Sequence, residues 1–174
     1  MDQPAAKIIA ALGLLPHPEG GFFAETFRSP VQITLPDGRV RASSTAIYFL
    51  LPHGTFSALH RVASDEVWHH YGGAPLELTT ITPAGDLSRR ILGPDLESDQ
   101  LPQCVVPAGV WQAARPLSRE EAGYTLAGCT VAPGFDFADF EMPERDTLEA
   151  LFPGHTEVIR KLTRLIGYDN TRRP

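Results

Sequence analysis

The span LHRVASDEVWHHYGG, Leu59 to Gly73, gathers His60, Asp65, Glu66, His69 and His70 and closes on two glycines. Imidazole and carboxylate groups move protons near neutral pH and hold divalent ions, so this stretch carries the candidate chemistry. A divalent ion (Mn, Fe, Ni or Zn) needs three or more N or O donors meeting at about 2 Å. His60, Glu66 and Gln112 form one such set, with Gln112 a weak neutral donor. His69 or His70 is available to complete it, because strand alternation sends the two to opposite faces. If Glu66 faces inward, regular pairing takes Trp68 and His70 with it, whereas a bulge selects His69. A second chemistry needs no metal: His60, oriented by Glu66 or Asp65, takes a proton from a carbon next to a carbonyl, as in an epimerisation. The catalytic candidates are therefore His60, Glu66 and His69, with Tyr48, Tyr71 and Tyr124 as candidate acids. Each histidine also has a plain alternative, a hydrogen-bonded side chain on a half-buried strand.

The ligand-binding candidates are Glu25, Arg28, His70, Tyr71, Trp111 and Gln112. In regular alternation Phe23, Glu25 and Phe27 share one face of their strand, and Phe22, Ala24, Thr26 and Arg28 the other. Arg28 offers a fork of donors to a carboxylate or phosphate, and Glu25 pairs with it only across a bulge. Trp111 reads as wall or core. Glu19-Gly20-Gly21 lacks the further glycines, lysine and following helix of a phosphate loop; its glycines shape an entry to the barrel mouth. In FDFADFE, the acids Asp136, Asp139 and Glu141 alternate with Phe135, Phe137 and Phe140, which are expected to pack on a sheet.

Positioning these groups falls to short strands. Between Gly21 and Met142, runs rich in β-branched and aromatic residues recur: GFFAETFRS, STAIYFLLP, FSALHRV, EVWHHY, PLELTTITP, LSRRILG, QCVVP, VWQAARP, AGYTLAGCTVAP and FDFADFEM. LPDGR and TPAGDL are hairpin turns, since their glycines supply positive φ. At the N-terminus, residues 4 to 15 place Ile8, Ile9, Leu12 and Leu15 at helical spacing, with Pro16 and Pro18 as the stop. At the other end, Asp146 with Glu149 reads as a cap ahead of Leu148 and Leu151, broken at Pro153-Gly154. Thr156 then caps a stripe of Val158, Ile159, Leu162, Leu165 and Ile166 that stops at Gly167. These helices are expected to pack outside an all-β body, in a single domain covering residues 1 to 174.

Ten or so strands, one of them bearing His and Glu, resemble the cupin double-stranded β-helix or jelly roll. Cupins carry His-x-His, three or four residues, Glu, six residues and Gly, followed later by Pro-x-Gly-x-x-His. Here His60, Glu66 and Gly73 keep the first spacing, with Val62 in place of the second histidine. PAGVWQ, Pro107 to Gln112, keeps the second with Gln112 at the histidine position. More closely, HPEGGFF, STAIYFLL, SDEVWHH, PAGVWQAA and GCTVAPGFDFADFEM, in this order over about residues 5 to 166, resemble the family known as cupin superfamily 5. The resemblance implies a jelly roll related in fold to sugar-nucleotide epimerases of the dTDP-4-dehydrorhamnose type, and a homodimer; it brings no agreed reaction. Its recurring Trp-His pair, Trp68 and His69, favours His69 as the inward histidine.

The 174 residues are enough for a packed core, and 43% are hydrophobic. A net charge of -6 with no long basic run argues against nucleic acid and gives a membrane surface no support. The C-terminal basics, Arg160, Lys161, Arg164, Arg172 and Arg173, read as a solvated helix face and tail. Cys104 and Cys129, without CxxC spacing, are expected to be buried thiols. The longest apolar run, Ala46 to Leu51, is too short for a bilayer, and the N-terminus has no signal-like segment. A cytoplasmic protein with a small-molecule ligand is therefore expected. It acts as an isomerase, an epimerase or a metal-assisted enzyme on a sugar-like or hydroxy-acid compound, or alternatively as a binding or sensing module without turnover.

Overall fold

The computed structural model describes residues 4–164. Leu165, Ile166, Gly167, Arg172 and Arg173 lie outside the described residues. Helix α1 (Pro4–Leu12) leads into β1 (Leu15–Pro16), β2 (Phe22–Arg28), β3 (Gln32–Thr34), β4 (Val40–Ala42), β5 (Thr45–Pro52) and β6 (Ser57–Val62). There follow β7 (Asp65–Gly73), β8 (Leu76–Ile81), β9 (Leu87–Leu92), β10 (Gln103–Val106), β11 (Trp111–Pro116) and β12 (Tyr124–Ala132). A two-residue β13 (Phe140–Glu141) and helices α2 (Arg145–Leu151) and α3 (Thr156–Lys161) complete the order.

Two antiparallel sheets face each other. One has the order β1-β2-β5-β12-β7-β10 and the other β13-β6-β11-β8-β9, with β3 and β4 as a separate hairpin. This is an all-β jelly roll. Between the sheets, Phe49, Leu51, Trp68, Leu76, Leu78, Leu92 and Ala127 close one end with a dry core, which leaves the polar residues to the other end. The LPDGR and TPAGDL turns join β3 to β4 and β8 to β9, with Gly38 and Gly85 at positive φ.

The helices pack outside. Leu148, Phe152, Ile159 and Leu162 cover Leu59, Ile81, Trp111 and Ala113 on the outer face of the five-stranded sheet. Against the other sheet, Ala5 and Leu14 cover Leu50. Helix α1 ends earlier than the prolines require. Gly13 adopts a left-handed conformation (φ 62°) and the Leu14 N–H reaches the Ile9 carbonyl at 2.9 Å, a glycine-terminated cap. Leu15 thereby joins β1 opposite Phe23 instead of the helical stripe. Asp146 lies inside the first turn of α2, whose N-cap is Glu144, and Thr156 opens α3 after His155. The FDFADFE run is not a regular strand: it makes a 3-10 turn, Phe137–Asp139, before β13. Arg41 and Arg39 both donate to the Asp139 carboxylate, which ties the β3–β4 hairpin to this turn.

Candidate functional site

A cavity of about 290 Å³ opens at the polar end of the sandwich. Alternation on three strands brings His60 and Val62 (β6), Glu66 (β7) and Cys129 and Val131 (β12) to its wall, with Thr45 and Ile47 from β5 beside them. The 135–140 segment adds Phe135, Asp136, Phe137 and Phe140 at the opening.

Two further wall residues come from a loop. Between β1 and β2 the chain turns back on itself, with His17 N–H on the Gly21 carbonyl (3.0 Å) and Gly20 N–H on the His17 carbonyl (3.0 Å). Its return path needs Gly20 at φ 113° and Gly21 at φ 70°. The Glu19 carbonyl accepts the Ala58 N–H of β6 at 2.8 Å. From behind, the Arg164 guanidinium donates to the carbonyls of Pro18 (3.1 Å) and Phe56 (3.2 Å). The loop is thus fastened with His17 and Glu19 turned into the barrel. The glycines of this loop shape the entry, as their positions imply, and they also direct two side chains that no sequence period marks. The available signal was the glycine pair directly after an acid in a stretch otherwise free to be solvated.

These groups form one hydrogen-bonding set. Glu19 Oε2 lies 3.3 Å from His60 Nε2 and 3.4 Å from His17 Nδ1, while Ser57 Oγ donates to Glu19 Oε1 at 2.8 Å. The other nitrogen of His60, Nδ1, lies 2.8 Å from the Ala58 carbonyl, which fixes the proton there and leaves Nε2 as an acceptor. The Glu19 N–H is directed at His17 Nδ1, 3.4 Å away, so that nitrogen is an acceptor too. Glu19 Oε2 therefore faces two imidazole lone pairs, and one proton must be shared among the three groups. Burial pushes the Glu19 carboxyl above its ordinary range and both imidazoles below theirs, against the opposing influence of their partners. The neutral arrangement, a Glu19 carboxyl donating to imidazole, satisfies these directions.

Glu66 is held from the other side. Gln112 Nε2 donates to Glu66 Oε2, the Trp68 indole N–H donates to Gln112 Oε1 at 2.8 Å, and the Cys129 thiol stands beside Glu66 on the cavity wall. Burial raises the Glu66 carboxyl, and the thiol is raised well above its ordinary value, so Cys129 is an inert buried thiol. Cys104 is only partly buried.

His60 and Glu66 line the cavity, as do Glu25 and Arg28. Arg28 reaches it because Thr26 is an extra residue in β2: Glu25 pairs with Ile47 and Phe27 with Ala46. The bulge turns Phe27 outward, 52% exposed, and brings Arg28 to the side of Glu25, which it grips at 2.9 and 2.6 Å. The remaining candidates stand elsewhere. His69 and Tyr71 occupy the outer face of the six-stranded sheet, stacked on each other, with His69 Nε2 3.1 Å from Thr130 Oγ1. That face is open to Tyr71 because residue 128 is glycine: a Cβ there would lie 2.5 Å from the Tyr71 ring. His70 does follow Trp68 on the inner side, opposite Ala127, but beyond the indole, where Nε2 meets the Ala74 carbonyl at 3.1 Å. Neither of the two histidines reaches the cavity. Trp111 faces the outer helices with Arg61 over its ring. Asp65 caps the Ala108 N–H, and Tyr48 and Tyr124 do not line the cavity.

Gln112 is fully buried, and both ends of its amide are taken by Trp68 and Glu66. In the set His60, Glu66 and Gln112, the amide is committed to its two neighbours, its oxygen accepting the indole proton and its Nε2 donating to Glu66. Among the described residues no group of three or more His, Cys, Asp or Glu is arranged to hold a metal ion. Gln112 is a positioning residue. Gln112→Leu leaves an indole N–H and a carboxyl unpaired in the interior, and a loss of roughly 2–4 kcal/mol is expected from urea unfolding followed by Trp fluorescence.

Against known proteins, the family model described as "Cupin superfamily (DUF985)" matches residues 6–143. The chain belongs to this cupin family. The cupin is 32% identical over 155 residues to "Uncharacterized protein YML079W" of Saccharomyces cerevisiae, covering 80% of this chain and 76% of the yeast protein. It is also similar to two solved structures. A hypothetical protein from Leishmania major has 35% identity and a TM-score of 0.84, with 89% of this chain and 96% of that one covered. Protein SO0799 from Shewanella oneidensis has 36% identity and a TM-score of 0.84, with 94% and 99% covered. No helix of the described residues in this cupin is long and apolar enough to cross a membrane.

Proposed function

We propose that the barrel cavity binds a compact small molecule and that the Glu19–His60 pair moves a proton on it, making the protein an isomerase or epimerase acting next to a C=O or C=N bond. One observation carries the reading: a buried carboxyl oxygen stands between two imidazole nitrogens, at 3.3 and 3.4 Å, on the wall of a cavity. With the Glu19 proton turned to His17 Nδ1, His60 takes the substrate proton at its free Nε2, and the Ala58 carbonyl on Nδ1 steadies the charge that develops. Glu19 exchanges its proton with His60, and Glu66, its carboxyl raised by burial, stands on the neighbouring wall to hold the ligand's donor groups. No step runs through a metal.

The test begins with thermal-shift screening of compact carbonyl and imine compounds. Each stabilising compound is then incubated with the protein in D2O and followed by proton NMR. Loss of the resonance next to the C=O or C=N supports proton transfer. Saturable stabilisation without exchange in any compound favours the binding or sensing module. The exposed Tyr48, Tyr71 and Val105 of the six-stranded sheet support a homodimer through that face, which sedimentation velocity would check.

The buried set also predicts a pH dependence of stability. His17 and His60 are lowered from an ordinary 6.5, so their contribution is present above 6.5 and is lost as pH falls through the lower folded values. Glu19 and Glu66, raised from 4.5, act oppositely: their contribution is present below 4.5 and is lost as pH rises through the folded values. His60→Gln removes one imidazole from the first group. Its urea midpoint is expected to fall less than that of the unmodified protein between pH 7.5 and pH 5.

A further inference from the structure

The charges around the cavity restrict what it can take. Among the described residues, the lining has the carboxyls of Glu19, Glu25, Glu66 and Asp136 and a single guanidinium, Arg28. That guanidinium is spent. Nε and Nη2 donate to the two Glu25 oxygens, and Nη1 and Nη2 share the Phe135 carbonyl at 3.2 Å, so four of its five N–H groups are engaged. Among the described residues, the other guanidinium near the set, that of Arg164, lies behind Glu19 on two backbone carbonyls. An anionic ligand would meet carboxyls at the rim and at the floor, with no free guanidinium or ammonium among the described lining residues to hold it.

The walls between rim and floor are aromatic. Phe23, Phe137 and Phe140 surround His17, and Phe140 lies stacked on His60 with ring centres 5.3 Å apart. Such walls accept a flat frame, and their ring faces favour positive charge. Among the described residues Glu66 is buried without a Lys or Arg partner and accepts from a neutral donor, the Gln112 amide. A ligand with N–H groups on a planar carbon supplies what a carboxylate lacks there, a paired set of charged donors. At about 290 Å³ the space suits a single ring and does not enclose a nucleotide sugar.

We propose that the cavity is selective for a compact, flat, nitrogenous compound, neutral or cationic, that presents N–H donors to Glu66 and carries no carboxylate or phosphate. This rests on the proton-transfer reading of the same cavity and names its substrate class, which excludes the hydroxy acids among the sugar-like and hydroxy-acid compounds expected from the sequence.

An isosteric series tests it: benzamidine, benzamide and benzoate share one frame and differ in charge and in donors. Thermal shift and isothermal titration on the full chain are expected to give the order benzamidine, benzamide, benzoate, with at least about tenfold between the ends. Glu66→Gln and, at the rim, Asp136→Asn are expected to weaken benzamidine several-fold and leave benzamide nearly unchanged. Asn at 136 keeps a side-chain oxygen for the Ala138 N–H that Asp136 now caps, so this variant is expected to fold even if Glu66→Gln does not. Benzoate binding as tightly as benzamidine overturns the proposal, as does benzamidine binding that both substitutions leave unchanged, or no saturable binding by any of the three. The two readings fail separately. A carboxylate compound that binds and exchanges its proton in D2O overturns the substrate class alone, whereas an N–H compound that binds without exchange overturns only the proton transfer.

Discussion

Gly20→Ala is expected to destabilise the protein by roughly 3 kcal/mol or more, the largest effect of any single methyl group added at the site. Two costs combine. At φ 113° an L side chain is strained in any surroundings, and the added Cβ would lie 2.3 Å from the Phe56 carbonyl oxygen. That oxygen belongs to backbone and already accepts from Arg164, so it has little freedom to yield. Gly38→Ala supplies the control: its φ is 86°, but nothing lies within 4 Å of the new Cβ, and only the backbone strain of about 1–2 kcal/mol remains. Urea midpoints of the two variants separate close packing from conformation. Equal losses would show that the loop is not held as tightly as described. Because Glu19 precedes Gly20 directly, Gly20→Ala should also abolish ligand stabilisation at temperatures where the chain is still folded.

The second large effect concerns rate. His60→Gln is expected to slow deuterium wash-in by about a hundred- to ten-thousandfold, the usual contribution of a positioned general base. Glutamine keeps a polar group of similar reach, so thermal stabilisation by the same compound should persist. Retained binding with lost exchange assigns His60 to chemistry and not to holding the ligand. Glu19→Gln should slow exchange as well, because the amide cannot hand a proton to Nε2. An exchange rate unaltered in either variant would remove the shared proton from the mechanism.

The fold was legible because the longer strands announced themselves: β-branched runs such as STAIYFLL and LELTTI are bounded by turn residues, and the apolar faces of the helices had only the outer sheet surfaces to cover. His60 and Glu66 were legible for a different reason, since their spacing places both on inward positions of adjacent segments, β6 and β7. Arg28 shows where that reasoning stops. Alternation puts it opposite Glu25, and one inserted residue, Thr26, reverses its side; nothing in the hydrophobic pattern records a bulge. His70 keeps the predicted parity but lies past Trp68, and parity says which side a residue faces without saying at which end. Gln112 stands at a motif position for a ligand and instead bonds Trp68 and Glu66, because its amide can donate and accept at once. His17 and Glu19 escaped because a loop has no period to read, and their direction depends on two glycine dihedrals.

The Arg164 contacts with Pro18 and Phe56 have a wider consequence. Pro18 and Arg164 are separated by 146 positions in the chain, so the segment that carries Glu19 keeps its place through a tether made when the far end of the described chain docks. Whatever lifts that end from the sandwich, a truncation or a competing contact, slackens the pairing of acid and imidazole without touching either residue.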